Sequence, residues 1–183
     1  MKQHFRGVLV ALLTLALLPR AGLAQRTYAL GIGGGAAIPV GKFSDTQKPG
    51  YNGLVVLAIG VAELPFGVRF DGIYNTFEFR TAPAAGTSSS DPRVMGALFN
   101  LIFAFPGTTA KPYLIAGGGL YNTRGDIPGA KSENNFGFNA GFGTTLGVGP
   151  FAAFLESRYH TISRSAEEGG VMQFVPITLG LLF

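Results

Sequence analysis

Apolar and polar residues alternate at every second position along most of the chain after residue 26. This is the period of a β-strand whose two faces lie in different environments. Each segment is close to the 9–11 residues with which a tilted strand crosses a membrane. The eight predicted strands are Thr27–Ile38, Tyr51–Ala62, Phe66–Asn75, Arg93–Phe105, Tyr113–Tyr121, Phe136–Leu146, Phe151–Thr161 and Met172–Phe183. No stretch holds a helical period, and 28 Gly and 11 Pro are spread along the chain.

The connections between the predicted strands alternate in length. Those after the second, fourth and sixth strands are short, and those after the other strands are mostly longer and polar. The longest are Pro39–Gly50, Thr76–Pro92 and Asn122–Asn135. Short periplasmic turns and long extracellular loops are typical of outer-membrane barrels. The pattern therefore predicts that both termini face the periplasm.

The two faces of each strand differ in a way that separates a membrane barrel from a soluble one. In the sixth strand Phe136, Phe138 and Phe142 share one face, and Gly137 and Asn139 share the other. A soluble lipocalin-type barrel would put its apolar face inside and charge its exterior. Charges within the strands are too few for that, so we predict apolar faces toward lipid and small or polar faces inward.

The first 24 residues have the layout of a secretory signal peptide. Lys2 and Arg6 precede an apolar stretch from Val8 to Leu18, and Ala21–Ala24 supplies small residues for a signal peptidase. Cleavage after Ala24 leaves 183 − 24 = 159 residues, enough for one domain. It also removes three of the 14 Lys and Arg, so 11 face 10 Asp and Glu, for a net charge of +1. No basic excess remains for binding nucleic acid.

Composition then restricts the fold. Charged residues make up 13% and hydrophobic residues 47%, yet no apolar run after Leu18 is long enough for a spanning helix. A chain that faces lipid without helices must close into a barrel, because hydrocarbon satisfies no open strand edge. The predicted fold is all-β, an eight-stranded antiparallel up-and-down transmembrane β-barrel over residues 25–183. The chain has no Cys, so no disulfide or thiol-ligated metal is expected.

Four charged residues stand out within the predicted strands. Arg69 and Asp71 lie on the third strand and Glu156 and Arg158 on the seventh, and strands four apart face each other across an eight-stranded barrel. Asp71 and Glu156 stand at similar heights above Pro65 and Pro150. We predict an internal ion-pair cluster across the lumen, with Asn75, Asn100 and Asn139 as neighbours, because buried charges require partners. Such a cluster plugs a narrow interior or gates an ion path.

Several segments resemble the OmpA-like family of small outer-membrane β-barrel domains. They are Lys111–Tyr121, Phe138–Gly143, Leu155–His160 and Pro176–Phe183. The resemblance covers the whole mature chain and implies a location in the outer membrane of a Gram-negative-type bacterium, among its lipids. The terminal Phe183 after alternating apolar residues resembles the signal read by the barrel-assembly machinery, so that machinery and periplasmic chaperones are the implied partners during biogenesis.

Two motifs suggest other functions. Gly31, Gly33 and Gly35 resemble a dinucleotide-binding loop, but that loop opens a helix and needs a later acidic partner. On one face of a strand, these glycines more simply leave room for larger side chains on the facing wall.

Pro176 lies inside the last predicted strand, where its missing N–H cannot pair. It predicts a local bulge or an inner-face position beside a gap in the ladder.

His160, Ser163 and Glu156 raise the possibility of an enzyme. Some small outer-membrane barrels deacylate lipid A with Ser, His and an acidic residue, and Arg158–His160 distantly resembles that family. Ser163 and His160 have opposite parity in an extended strand, however, and a hydrolase needs the two within hydrogen-bond reach. His4 leaves with the signal peptide, so no His-rich metal site is expected.

The sequence therefore favours a non-enzymatic barrel with a structural or surface-interaction role, its lumen plugged by the charge cluster, and with no cofactor or metal. A narrow porin-like pore for ions or small solutes is the alternative, and a lipid A-modifying hydrolase ranks third. Any extracellular ligand would bind the polar loops.

Overall fold

Eight long antiparallel strands close into a barrel in the computed structural model, which describes residues 28–60, 64–81, 92–124, 132–165 and 170–183. The predicted signal peptide, residues 1–24, lies outside the described residues. The barrel strands are β1 (Tyr28–Pro39), β3 (Gly50–Gly60), β4 (Phe66–Thr76), β6 (Arg93–Ala104), β7 (Ala110–Arg124), β8 (Ser132–Val148), β9 (Phe151–Ile162) and β10 (Met172–Leu182). A short helix, α1 (Phe43–Thr46), and two short paired strands, β2 (Gln47–Lys48) and β5 (Glu78–Phe79), lie in the connections.

The barrel is closed by the first and last strands. β1 pairs antiparallel with β10 from Gly31–Leu182 to Pro39–Phe174, and with β3 on its other edge. Leu30 and Phe183 exchange both backbone hydrogen bonds, at 3.0 and 2.8 Å, so the seam continues to the last residue of the chain. All eight strands have two neighbours, which leaves no open barrel edge.

The predicted fold class is confirmed, and the strand ends differ from the prediction by at most a few residues. The connections also alternate as expected. Residues 61–65, 105–109 and 149–150 link strands at one end, which we call the short-turn end; both ends of the barrel chain lie here. The opposite end, the long-loop end, carries α1, β2 and β5. In the described part of the chain no helix is long and apolar enough to cross a membrane.

The exterior of the barrel is apolar and the interior holds the polar side chains. Phe142, Leu179 and Leu101 point outward and are 65%, 63% and 59% exposed. Glu156 and Arg158, two residues apart on β9, both point inward and are 2% exposed. The parity predicted from the sequence therefore holds, with large apolar side chains outside and charges inside.

Pro176 occupies an inner-face position beside a gap in the β10–β9 ladder, which was the second of the two predicted solutions. It is buried and pairs with Ala37 of β1. Between β10 and β9 the pairing passes from Phe174–His160 to Ile177–Ser157 with an unchanged offset, so no extra residue is inserted. Proline is accommodated by interrupting the ladder on the β9 side, where its missing N–H would otherwise be required.

Lumen glycines lie opposite large side chains. A Cβ built on Gly33 would lie 2.9 Å from Thr178 Cγ2 and 3.0 Å from Phe154 Cζ. The ring of Phe154 is 2% exposed and fills the space that a side chain at Gly33 would occupy. This agrees with the packing interpretation of the Gly31–Gly35 motif, which lies entirely within strand β1 and opens no helix.

Gly33→Ala is expected to destabilise the folded barrel by about 1–3 kcal/mol, because a methyl group there overpacks the lumen against Phe154 and Thr178. The matched control is Gly147→Ala, where nothing lies within 4 Å of the added Cβ. Urea unfolding of both variants in phospholipid vesicles measures the difference. Equal free energies of unfolding for the two variants would contradict the packing argument.

Candidate functional site

A cluster of two arginines and two carboxylates spans the lumen between β4 and β9. Arg69 meets Glu156 through two parallel hydrogen bonds, Nη1 to Oε2 at 2.7 Å and Nη2 to Oε1 at 2.8 Å. These residues lie on opposite walls, since β4 and β9 are separated by three strands in either direction around the barrel. A bidentate guanidinium–carboxylate pair fixes both the distance between the two side chains and their relative orientation. Arg69 and Glu156 therefore tie the two walls together.

Asp71 and Arg158 complete the cluster. Arg158 Nη1 lies 2.7 Å from Asp71 Oδ2, and Arg158 Nε lies 2.9 Å from Glu156 Oε1. Arg69 Nε lies 2.8 Å from Asp71 Oδ1. Each guanidinium thus contacts both carboxylates, and the four formal charges cancel within one buried group. The structure brings together all four residues that the sequence singles out.

Neutral side chains bind the remaining carboxylate lone pairs. Tyr113 on β7 donates its hydroxyl hydrogen to Glu156 Oε2 at 2.8 Å, and Asn100 on β6 donates to Asp71 Oδ2 at 2.9 Å. Arg158 Nη1 also donates to Asn139 Oδ1 on β8, at 3.3 Å. Five strands thereby supply side chains to one network. Buried ions need such additional hydrogen bonds to offset the cost of leaving water.

Asn75, expected beside the cluster, belongs to a separate polar group. Its Oδ1 accepts a hydrogen bond from Asn52 Nδ2 at 2.9 Å, and Thr178 donates to Asn52 Oδ1 at 2.5 Å. Tyr113, which the sequence analysis did not single out, is the reverse case. Its position could have indicated its place in the network, because Tyr113 has inward parity on the predicted fifth strand and lies close to the height of Glu156.

An aromatic stack lies in the lumen on the long-loop side of the cluster. Phe43 of α1 packs edge-on against Phe77 with ring centroids 4.9 Å apart, and Phe77 packs against Phe174 at 5.5 Å. Phe174 stacks on His160 at 4.8 Å with an interplanar angle of 11°. We call Phe43, Phe77, Phe174 and His160 the aromatic cap; all four are buried. The hydrophobic pattern did not predict this cap, because Phe43 and Phe77 lie in connections without periodicity.

His160 and Ser163 lie in different environments. His160 is fully buried in the lumen, where its Nδ1 lies 2.9 Å from the hydroxyl of Tyr121. Ser163 is exposed just beyond the end of β9, and its backbone N–H donates to the carbonyl of Phe136. Glu156 is held by the charge cluster. A nucleophile and its base must be within hydrogen-bond reach, so these three residues do not form a hydrolytic triad.

The described part of the chain contains no group of three or more His, Asp and Glu side chains placed to hold a metal ion. The carboxylates of the lumen bind arginines instead, which occupies their oxygens.

Comparison with known proteins identifies similar folds. No family model matches the chain, and a search of curated proteins found no match. Among solved structures, Neisserial surface protein A (NspA) is 16% identical with a TM-score of 0.62, covering 86% of this chain and 96% of that one. A major outer membrane protein from Thermus thermophilus is 12% identical with a TM-score of 0.47, covering 86% of this chain and 99% of that one. At its identity, the likeness to NspA concerns the fold.

Asp71→Ala is expected to destabilise the barrel by about 3–5 kcal/mol, because it leaves two buried guanidinium groups facing one carboxylate. The control is Glu133→Ala, which removes an exposed carboxylate and is expected to change stability by at most about 0.5 kcal/mol. Urea unfolding in vesicles measures both. A second variant, Asp71→Ala with Arg158→Met, restores charge balance and should recover part of the loss. Unchanged stability of Asp71→Ala would mean that the cluster does not hold the walls together.

Proposed function

We propose that this chain is an integral outer-membrane β-barrel protein with a structural or surface-interaction role in the cell envelope and a closed lumen. The observation that carries the proposal is the exterior wall. Large apolar side chains cover it on every strand, while the buried charges of the barrel strands point inward. Apolar surface of this extent is unfavourable in water and matches the hydrocarbon of a bilayer. Closure of the strands satisfies the backbone there.

Two obstructions at different heights support a closed lumen. The charge cluster crosses the middle of the barrel between Arg69 and Glu156. The aromatic cap lies nearer the long-loop end, where α1 places Phe43 against Phe77. An eight-stranded barrel is only wide enough for its side chains. A solute would have to displace both groups.

The location of the ends follows from the same proposal. In outer-membrane barrels the short turns are periplasmic, which would put both termini in the periplasm and α1, β2 and β5 at the cell surface. Phe183, hydrogen-bonded to Leu30 in the closing seam, is then proposed as the residue by which the barrel-assembly machinery recognises the chain, after delivery by periplasmic chaperones. The surface connections would supply any contact with extracellular ligands.

A narrow pore is the second candidate. Asn100 Oδ1, Asn139 Nδ2 and His160 Nε2 are buried without a hydrogen-bond partner in the protein, and such atoms favour water molecules beside them. These atoms lie in and above the charge cluster, so water in their vicinity would bring solvent close to the constriction. Conduction would still require the guanidinium groups to exchange partners and the cap to open.

Single-channel recording in a planar bilayer tests the closed lumen. The wild-type protein is expected to be silent, because the cluster and the cap obstruct it in series. Arg69→Ala with Glu156→Ala removes one charge of each sign and retains the 2.7 Å Asp71–Arg158 pair; Phe77→Ala opens the cap. Conductance steps are expected only when both changes are combined. Steps in the wild type that change in the Arg69, Glu156 variant would support the pore instead.

Single cysteines test the location and orientation, since the chain has none of its own. Asp45→Cys in α1 is expected to react with a membrane-impermeant maleimide in intact cells of a Gram-negative host, and Thr108→Cys at a short turn only after the outer membrane is permeabilised. Leu101→Cys, on the outward wall, should react in neither case but should react after unfolding in urea. Reaction of Leu101→Cys in the folded cellular protein would contradict a membrane location.

A further inference from the structure

The outward wall carries two charged side chains among the described barrel strands, Arg93 on β6 and Arg124 on β7. Both lie at the long-loop end, where outward parity and pairing place them directly opposite each other. The remaining outward positions of these strands are uncharged. Over the described barrel strands, the wall therefore carries no charge except one pair of adjacent positive charges at one rim.

This pair is unfavourable on its own. Like charges directly opposite on neighbouring strands destabilise a sheet. Among the described residues neither arginine has a carboxylate partner within ion-pair distance, since the ion pairs found there all belong to the lumen cluster. Arg93 Nε is shielded from solvent and has no hydrogen-bond partner. Two guanidinium groups in this arrangement favour an anion between them.

An apolar groove begins on the wall just below the two arginines. Its volume is about 770 Å³, and its outward floor is formed by Gly53, Gly72 and Ala97. Asn122 and Asn134, joined by a 2.9 Å hydrogen bond, form a polar lip between the groove and the arginines. A cavity lined by apolar side chains with few polar atoms at one end suits an amphiphile.

The groove continues toward the middle of the barrel. A second cavity of about 550 Å³ shares Gly72 and Ala97 with the first and extends to Phe70 and Phe99. The two rings, 5.3 Å apart, end the groove. Phe99 lies six residue steps after Arg93 on β6, or about 20 Å along the strand. One leaflet of hydrocarbon is about 15 Å thick, so a lipid with its headgroup at the arginines would reach the two rings with its acyl chain.

We propose that Arg93 and Arg124 bind the phosphate-bearing headgroup of an anionic membrane lipid whose acyl chain lies in the groove over Gly72 and Ala97. The proposal rests on the membrane location inferred above, and it adds a specific lipid site to that location. Charge complementarity selects this occupant. In a dimer packed wall to wall about this groove, the arginine pair of each copy would meet that of the other, bringing four positive charges together.

A unique tryptophan reports occupancy, because the chain contains none. Phe99→Trp places the reporter at the deep end of the groove. Leu179→Trp, on β10 across the barrel and 63% exposed, is the matched control on a wall without arginines. Each protein is refolded into phosphatidylcholine vesicles that contain a minor fraction of lipid with brominated acyl chains, either phosphatidic acid or phosphatidylcholine. Bromine quenches the tryptophan only at close contact.

For Phe99→Trp, brominated phosphatidic acid is expected to be preferred over brominated phosphatidylcholine by about 25-fold, since each of the two arginines near an anionic headgroup adds about a factor of five. Leu179→Trp should show no such preference. Arg93→Gln with Arg124→Gln should remove the preference, whereas Arg93→Lys with Arg124→Lys should retain most of it. Gly72→Leu should abolish it with both arginines intact. Nothing lies within 4 Å of a Cβ at Gly72, so this variant should fold.

Three results would overturn the proposal. They are equal quenching of Phe99→Trp by the two brominated lipids, a preference that survives the glutamine substitutions, and one that survives Gly72→Leu. Quenching by brominated phosphatidylcholine distinguishes failure of the lipid-site proposal from failure of the proposed membrane location. If that lipid quenches both reporters, the barrel is inserted and only the lipid site is wrong. If it quenches neither, the location itself is wrong.

Discussion

The requirement that every strand be paired on both edges governs this structure. β1 and β10 meet from Gly31–Leu182 to Pro39–Phe174, and the seam extends to the backbone bonds between Leu30 and Phe183. A backbone group without a partner costs several kcal/mol in hydrocarbon, by the order of magnitude for buried polar groups. Closure with eight strands also fixes the width of the interior. The alternation of outward apolar and inward polar residues, the choice of lumen side chains and the pairing of buried charges all follow from that width.

A narrow closed interior leaves little freedom in how it is filled. Glycine at position 33 and the ring of Phe154 are complementary, since a side chain at one site would occupy the space of the other. The narrow interior also restricts the charged residues, because buried charges require partners nearby. Four charges cost less when each carboxylate contacts both guanidinium groups and additional donors such as Tyr113 and Asn100. Apolar side chains of similar volume would fill the same space, so the cluster is better explained by the specificity of its geometry than by its stability. It fixes the distance and the orientation between the facing walls of β4 and β9.

The sequence predicts the barrel and its central cluster because both depend on regular geometry. Parity puts Arg69 and Asp71 on one face, and the eight-strand count puts Glu156 and Arg158 opposite them. Pro176 also follows, since a proline in a closed sheet must coincide with an interrupted ladder. The aromatic cap is different. Phe43 and Phe77 lie in connections where no period applies, and only packing against Phe174 defines their positions. The available signal was a large apolar residue isolated in a polar loop, and such a residue does not indicate which side chain it packs against.

The aromatic cap and the charge cluster both lie across the lumen, and different interactions hold them in place. The cap is held by dispersion and burial of rings, which vary little with ionic conditions. The cluster is held by ion pairs between β4 and β9, and these exchange partners only if the two strands allow it. His160 lies between the two along β9: its ring stacks on Phe174, its Nδ1 faces Tyr121, and Arg158 is the next inward residue on the same strand. The connections that carry Phe43 and Phe77 lie at the long-loop end of the barrel. Any contact that moves α1 therefore acts first on Phe43, which α1 carries, and on Phe77, whose ring packs against it.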